Sequence, residues 1–386
     1  MWRLLFYRKD SWGKQKTCKL CGARSRAISE VIGVCASCLR EKPEEALKVA
    51  MESHRLSRER MGLPLEPPKN PAGIPCGICD VACSIGPGEK GFCGLVENKD
   101  GKLVRLSTAK AGFLEWYYDA LPTNCVAAWF CPASTGLGYP KYSVSEGGEY
   151  GYKNLAVAYG ACNMDCLFCQ NWGVKGLAND LRYLVTPEDL VSKIDERVTC
   201  ICFFGGDPSP QIAHALKVAK LALEKAEREK RVIRVCWETN GRIGRAALRD
   251  VIDVSLRSGG IIKVDVKAWT PSIYKALTGL DPGGLFDNLK FISEHIEERE
   301  EVPLLTASTL LVPGYVDEYE VRMIARYLSS LDRNIPYTLL AFHPDYLLHD
   351  LPPTSTRHAK EALKAAREEG LKRVNIGNQW LLGDYY

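Results

Sequence analysis

The run Tyr159-Gly-Ala-Cys162-Asn-Met-Asp-Cys166-Leu-Phe-Cys169 places three cysteines in a Cys-x3-Cys-x2-Cys spacing, with aromatic Phe168 just before the last. Thiolates are the usual protein ligands of iron–sulfur clusters. Three of them on a four-iron cluster leave one iron without a protein ligand. An open position is what lets a metal bind a substrate rather than only hold a fold. Zinc, or chance spacing of buried thiols, is the competing reading. Position favours the cluster, because the motif follows an apolar strand-like run at 155–159, and active sites of strand–helix folds collect on such loops.

Eight further cysteines fall into two sets. Cys18-x2-Cys21 and Cys35-x2-Cys38 are two knuckles separated by 13 residues. Each turn presents two sulfurs to one ion, so structural zinc is the expectation, with a redox pair or a rubredoxin-like iron site as alternatives. Cys76, Cys79, Cys83 and Cys93 follow a Cys-x2-Cys-x3-Cys-x9-Cys spacing in a Gly-rich stretch. Zinc and an auxiliary iron–sulfur cluster both fit there, and zinc is preferred because the sequence offers no electron-transfer rationale. Cys200, Cys202 and Cys236 lie in apolar strand-like runs and read as buried thiols. Cys125 and Cys131 remain unassigned.

The elements that must position these groups show three regions. Residues 1–70 hold the knuckles, a polar helix over 44–60 and a Pro- and Gly-rich linker at 62–75, which should isolate this segment from the rest. Residues 71–150 form a Cys-, Gly- and Pro-rich accessory region with little helical period. From 151 to 386, short apolar runs alternate with amphipathic stretches. Strands are expected at 155–159, 200–204, 232–237, 261–266, 304–311, 337–342 and 373–376. Helices are expected at 187–197, 210–229, 243–257, onward to 298, and at 318–330 and 354–369. Strands alternating with helices imply βαβ units and a parallel sheet. The fold class is α/β, a partial (β/α) barrel of about six parallel strands with an N-terminal zinc-ribbon-like extension; a doubly wound sheet competes.

Polar residues recur where these strands end. Gly205-Gly206-Asp207, Glu238-Thr239-Asn240, Asp265-Val-Lys267 and Phe342-His343-Pro344 each close one. Singly, each reads as a cap or turn. Together they describe one rim.

On these residues the chain resembles the radical SAM (S-adenosylmethionine) superfamily. Within it, the chain resembles the branch related to pyruvate formate-lyase activating enzymes, and there the radical SAM member of the AmmeMemoRadiSam system. The matching stretches are Cys76-Gly-Ile-Cys79-Asp-Val-Ala-Cys83 with Gly91-Phe-Cys93-Gly94, then 162–172, Leu311-Val-Pro-Gly-Tyr315, Phe342-His-Pro-Asp-Tyr346, Asp350-Leu-Pro-Pro-Thr354 and Ile376-Gly-Asn378. The resemblance implies a 4Fe-4S cluster on Cys162, Cys166 and Cys169, with SAM bound at the open iron. Reductive cleavage of SAM would give a 5′-deoxyadenosyl radical that takes a hydrogen from a substrate, a protein or a small molecule. A ferredoxin or flavodoxin would supply the electron. Gly205, Gly206 and Asp207 occupy the glycine-rich SAM motif, with Asp207 where Glu is commoner. Glu238, Thr239 and Asn240 match an Asp-Thr-Asn-Gly stretch, Asp265 and Lys267 an Asp-Leu-Lys motif near SAM, and His343 a histidine on the adenosyl portion. Ser308 stands where the activases carry a basic residue, which counts against their peptide-substrate mode. Within the same chemistry the alternative is a glycyl-radical activase. Outside it, the alternative is a non-catalytic zinc-binding adaptor.

Composition sets the remaining bounds. The chain has 386 residues, 46% of them hydrophobic and 25% charged, enough to bury a large core. No apolar run reaches the ~18 residues that span a bilayer. Residues 1–10 mix apolar positions with Arg3, Arg8 and Lys9 and lack a leader's apolar core, so a cytoplasmic, membrane-free protein is expected. Residues 1–70 carry 15 Lys/Arg against 8 Asp/Glu within an overall net charge of +4, so the remainder is net acidic. That basic segment reads chiefly as solvated surface. No aromatic residues interleave with its cations, which argues against nucleic acid.

Overall fold

The computed structural model describes residues 12–386, and the expectation for residues 1–10 lies outside them. An antiparallel pair, β1 (Lys16–Thr17) with β2 (Arg24–Ser25), frames the first knuckle. The second knuckle opens α1 (Ala36–Glu41), with Cys35 as its N-cap, and α2 (Pro43–Arg60) follows. Proline is tolerated at the start of α2 because the N–H it lacks has no intrahelical partner there. Two further antiparallel pairs build the region of the second cysteine set: β3 (Ile74–Pro75) with β4 (Ser84–Ile85), and β5 (Val96–Lys99) with β6 (Lys102–Arg105).

The rest of the chain builds one sheet and its helices. Its elements are β7 (Gly112–Ala120), α3 (Pro132–Thr135), β8 (Lys153–Tyr159), β9 (Leu184–Val185), α4 (Pro187–Val191), β10 (Val198–Phe204), α5 (Ile212–Glu229), β11 (Arg234–Thr239), α6 (Arg245–Ser258) and β12 (Ile262–Asp265). They continue as α7 (Pro271–Thr278), α8 (Leu285–Ser293), β13 (Leu305–Leu311), α9 (Glu318–Leu331), β14 (Tyr337–Ala341), α10 (Thr356–Glu368) and β15 (Val374–Gly377). The nine strands lie in the order β15-β14-β13-β12-β11-β10-β8-β7-β9, an open arrangement. Strand β8 and strands β10 to β15 run parallel. The fold is thus mixed α/β with a largely parallel central sheet, as the alternation predicts. Parallel neighbours need crossovers, and the helices supply them.

The two sheet faces differ. Ile201, Phe203, Val235, Trp237, Ile262 and Val264 point to the helices and share one core with α5 to α10. The alternate positions, Cys200, Cys202, Cys236, Glu238, Lys263 and Asp265, point the other way. Segment 121–150 lies over part of that inner face. Trp129 Nε1 donates to Thr338 Oγ1 of β14 at 3.0 Å, and Thr338 Oγ1 donates to Val126 O at 2.9 Å.

Three expectations need correction. Residues 112–120, given no element within the accessory region, form β7, which pairs antiparallel with β8 over 114–120 and with β9 at Gly112 and Phe113. The helix expected to 197 stops at Val191, because Asp195 Oδ1 takes the Arg197 amide at 2.9 Å and closes a turn in its place. The N-terminal segment is not isolated by the linker. Tyr315 donates its hydroxyl to Val34 O at 2.8 Å and accepts the Ser29 amide at 3.0 Å. Asp350 accepts Ser29 Oγ and the Glu30 amide, and Arg40 makes a two-pronged contact with Asp317 at 2.8 and 2.7 Å. Gly314 has φ +75°, and a Cβ there would stand 2.0 Å from Ala27 O.

Candidate active site at the carboxyl rim of the sheet

Strand β8 ends at Tyr159, and the chain turns at once into the loop that bears Cys162, Cys166 and Cys169. Neighbouring strand exits hold this loop by its backbone. The Asp207 amide donates to Ala161 O, the Asp165 amide to Thr278 O, the Leu167 amide to Leu277 O, and the Leu347 and Leu348 amides to Leu167 O. The loop therefore meets segments that follow β10, β12 and β14. Gly205 and Gly206, at φ +58° and +63°, bring the β10 exit against it. A Cβ on Gly206 would lie 2.1 Å from Tyr159 O, so only glycine permits that approach.

Asp207 is buried and accepts the Ser209 amide at 2.8 Å, the Thr239 hydroxyl at 3.1 Å and the Asn240 amide at 2.7 Å. Asn240 Nδ2 donates to Asn163 Oδ1 at 2.7 Å. Asp207, Thr239 and Asn240 thus come together at the rim, with their polar atoms engaged in tying the β10 and β11 exits to the cysteine loop. Burial pushes the Asp207 carboxyl up.

Asp265 and Lys267 are different. They form an ion pair, yet Asp265 Oδ1 is buried with no hydrogen-bond partner. Burial works against the charge on Lys267, but Asp265 and Cys166 hold its ammonium above the ordinary lysine range. Burial also pushes up the Cys162 and Cys169 thiols, and Cys166 to about 12 against the pull of Lys267. His343 stands half-buried just beyond β14. Glu238 is one-third exposed and takes Lys263 Nζ at 2.8 Å. The same ammonium lies 3.1 Å from Cys125 Sγ and 3.3 Å from Cys202 Sγ.

Several residues at this rim were not anticipated from the sequence. Asp165, inside the cysteine loop, accepts His54 Nδ1 at 3.0 Å, Ser57 Oγ at 3.0 Å and Lys175 Nζ at 2.8 Å. His54 and Ser57 belong to α2. Burial alone would raise the Asp165 carboxyl, but His54 and Lys175 hold it well below the usual carboxylate range. Tyr346 completes the group: its hydroxyl is 2.7 Å from Ser57 Oγ, Lys175 lies over its ring and Trp172 stacks on it. The only signal for α2 in the sequence is its polarity, which reads equally as a solvated face.

Residues 157–327 match the family model described as the Radical SAM superfamily. The chain carries a radical SAM domain. Similar proteins include two uncharacterized proteins of Methanocaldococcus jannaschii. One is 28% identical over 312 residues, covering 79% of this chain and 81% of its own. The other is 24% identical over 220 residues, covering 54% and 59%. Among solved structures, a domain of pyruvate-formate lyase-activating enzyme from Bacteroides vulgatus matches 46% of this chain and 98% of its own, at 17% identity and TM-score 0.37. SuiB of Streptococcus suis, bound to S-adenosylmethionine, matches 56% and 47%, at 11% identity and TM-score 0.38. A radical SAM domain implies an enzyme, a 4Fe-4S cluster and SAM. The rim fits those groups in two respects. Three half-buried thiols sit on one loop beside a lysine, and the orphaned Asp265 Oδ1 is an acceptor in want of a donor. The radical SAM match ends at 327, short of His343. No helix among the described residues is long and apolar enough to cross a membrane.

The knuckle cysteines converge separately. Cys18, Cys21, Cys35 and Cys38 have all their sulfurs within 4.8 Å of one another, with Cys18–Cys38 at 3.8 Å and Cys21–Cys35 at 3.7 Å. A metal–sulfur bond of about 2.3 Å sets tetrahedral edges near 3.8 Å.

Proposed function

We propose that this protein is a radical SAM enzyme that binds a 4Fe-4S cluster through Cys162, Cys166 and Cys169 and reductively cleaves SAM. The observation that carries the reading is the Cys-x3-Cys-x2-Cys loop at the exit of β8, inside a domain matched to the superfamily. When bound, the cluster and SAM supply one electron and a sulfonium whose S–C5′ bond breaks to a 5′-deoxyadenosyl radical, which removes a substrate hydrogen.

The chain's own residues hold and orient. Asp265 Oδ1 accepts from the SAM amino group or ribose hydroxyls, and Lys267 offsets the negative charge of the thiolates beside it. Gly205 and Gly206 keep the β10 exit close to the cysteine loop, and Asp207, Thr239 and Asn240 fix that exit by their mutual bonds. Glu238 and Lys263 present a paired charge on the inner face below the rim, and His343 flanks it from the β14 side. A ferredoxin or flavodoxin supplies the electron, and the substrate is a protein or a small molecule. Cys18, Cys21, Cys35 and Cys38 hold a structural zinc, a role that their tetrahedral edges favour. The proposed organisation is a knuckle segment over 1–70, an accessory region over 71–150 that lends β7 to the sheet, and the catalytic body over 151–386.

The test is anaerobic purification followed by incubation with SAM and reductant. The expected result is a brown protein that forms 5′-deoxyadenosine and methionine, with product formation abolished in Cys166→Ala while the circular-dichroism spectrum is kept. A Cys166→Ala protein that forms 5′-deoxyadenosine at the parental rate overturns the assignment.

A further inference from the structure

Cys76, Cys79, Cys83 and Cys93 stand outside that reading, yet all four line one cavity. The β3–β4 pair brings the first and third together, with the Cys76 amide donating to Cys83 O at 2.8 Å. Asn163, the residue after Cys162, lines the same cavity. The two cysteine sites therefore share a wall.

Two features describe what this cavity is built to hold. The first is charge. Arg58 is 1% exposed and donates to the carbonyls of Pro64 and Phe92, while its ring-stacked guanidinium stands 3.4 Å from the centre of Phe92. Burial works against the charge on Arg58, and Asp165, then Cys162, Cys93 and Cys83, favour it. Arg105 donates to Cys76 Sγ at 3.5 Å, and the Phe92 amide to Cys83 Sγ at 3.5 Å. A buried cation requires a compensating anion, and N–H donors aimed at sulfur suit thiolates that carry charge.

The second is spacing. Among the described residues, only the knuckle set brings three or more such ligand atoms within 4.8 Å of one another. No three of the sulfurs of Cys76, Cys79, Cys83 and Cys93 lie within 4.8 Å of one another, wider than the edges of one tetrahedral ion, and the same holds for Cys162, Cys166 and Cys169. That excess width is what a polynuclear centre takes up and a single zinc does not.

We propose that Cys76, Cys79, Cys83 and Cys93 ligate a second four-iron, four-sulfur cluster against the Cys162 side of the first. Four protein thiolates leave no iron open, so this centre exchanges electrons and binds nothing. It accepts one electron from a ferredoxin- or flavodoxin-class reductant, which is oxidised by one electron, and passes it to the first cluster. This passing role rests on the reading of Cys162, Cys166 and Cys169 given above; the ligation does not.

The experiment uses the full chain, purified anaerobically, with iron, acid-labile sulfide and zinc counted. About eight irons and eight sulfides per chain are expected, twice the content of one cube. The dithionite-reduced wild-type protein should show two overlapping paramagnetic resonance signals, only one of which moves when SAM is added. A Cys162→Ala/Cys166→Ala/Cys169→Ala protein should keep about four irons and a signal indifferent to SAM. About four irons in the wild type, none in the triple variant and a second zinc would overturn the proposal and leave the first reading intact. Four irons retained in both proteins with no response to SAM would support this site and instead remove the assignment of Cys162, Cys166 and Cys169.

Discussion

At the scale of single residues, Asp265 separates a binding role from a structural one. One of its oxygens is spent on Lys267, and the other is buried without a partner. A buried acceptor left unpaired is costly, so it is tolerated where a ligand supplies the donor. Asp265→Asn keeps the shape and removes the charge. We expect SAM to bind roughly tenfold more weakly, about 1.4 kcal/mol, with iron content unchanged. Equilibrium dialysis with labelled SAM measures it, and unaltered affinity would return Asp265 to a purely structural pairing with Lys267. The rim was legible in the sequence because polar residues recur at the ends of successive apolar runs. Their division of labour was not. Asp207, Thr239 and Asn240 read as ligand contacts exactly as Asp265 does, since a polar strand end looks the same whether it faces a ligand or ties two loops. Cys202 reads as an inert core thiol and is indeed buried, yet it faces Lys263, a contact that reaches across β11 and leaves no local trace.

At the scale of elements, α2 carries the surprise. The sequence places its helix within a residue of the observed start as a polar stretch, but beside Ala46 and Ala50 it buries His54, Ser57 and Arg58. Hydrophobic patterning finds faces that bury large apolar groups, and the C-terminal half of this one buries polar groups against Asp165 and the backbone of 64 and 92. Strand β7 escaped for a related reason: its burial does not alternate, three buried positions being followed by six exposed or half-buried ones. The βαβ run from β8 onward was legible because parallel strands buried on both faces read as continuous apolar runs. The consequence for α2 can be measured. His54→Leu removes one of the three partners of Asp165 and leaves a buried carboxylate oxygen short of a donor. We expect a loss of about 1–3 kcal/mol in stability and faster iron loss from the Cys162–Cys169 loop under chelator. A stability change with wild-type iron retention would mean that α2 supports the fold and not the loop.

At the scale of the whole molecule, the inner face of the sheet stays covered only while segment 121–150 stays attached. Its strongest tie is Glu149, fully buried, which receives Arg234 of β11 through two bonds of 2.7 and 2.6 Å, Thr199 Oγ1 at 2.6 Å and Ser143 Oγ at 3.0 Å. Burial alone would raise the Glu149 carboxyl, but the Arg234 guanidinium holds it below the usual range. The sign follows. A carboxyl depressed in the folded state binds its proton more readily when unfolded. Its contribution to stability is therefore complete above the ordinary glutamate value of about 4.3 and fades as pH falls through the lower folded value. Glu149→Gln leaves Arg234 buried without its anion, and we expect a loss of about 3–5 kcal/mol near neutral pH. The gap between wild type and variant should narrow steadily once the pH drops below about 4, as the wild-type carboxyl takes up its proton. Chemical denaturation across pH 3 to 8 tests both statements. A constant gap down to pH 3, or a neutral-pH loss below about 1 kcal/mol, would show that the pair stabilises little beyond its surroundings. The same segment sets Cys125 beside Lys263 and Glu238. Detachment of 121–150 in the variant should therefore also open Cys125 to alkylation at pH values where the wild-type thiol stays protected.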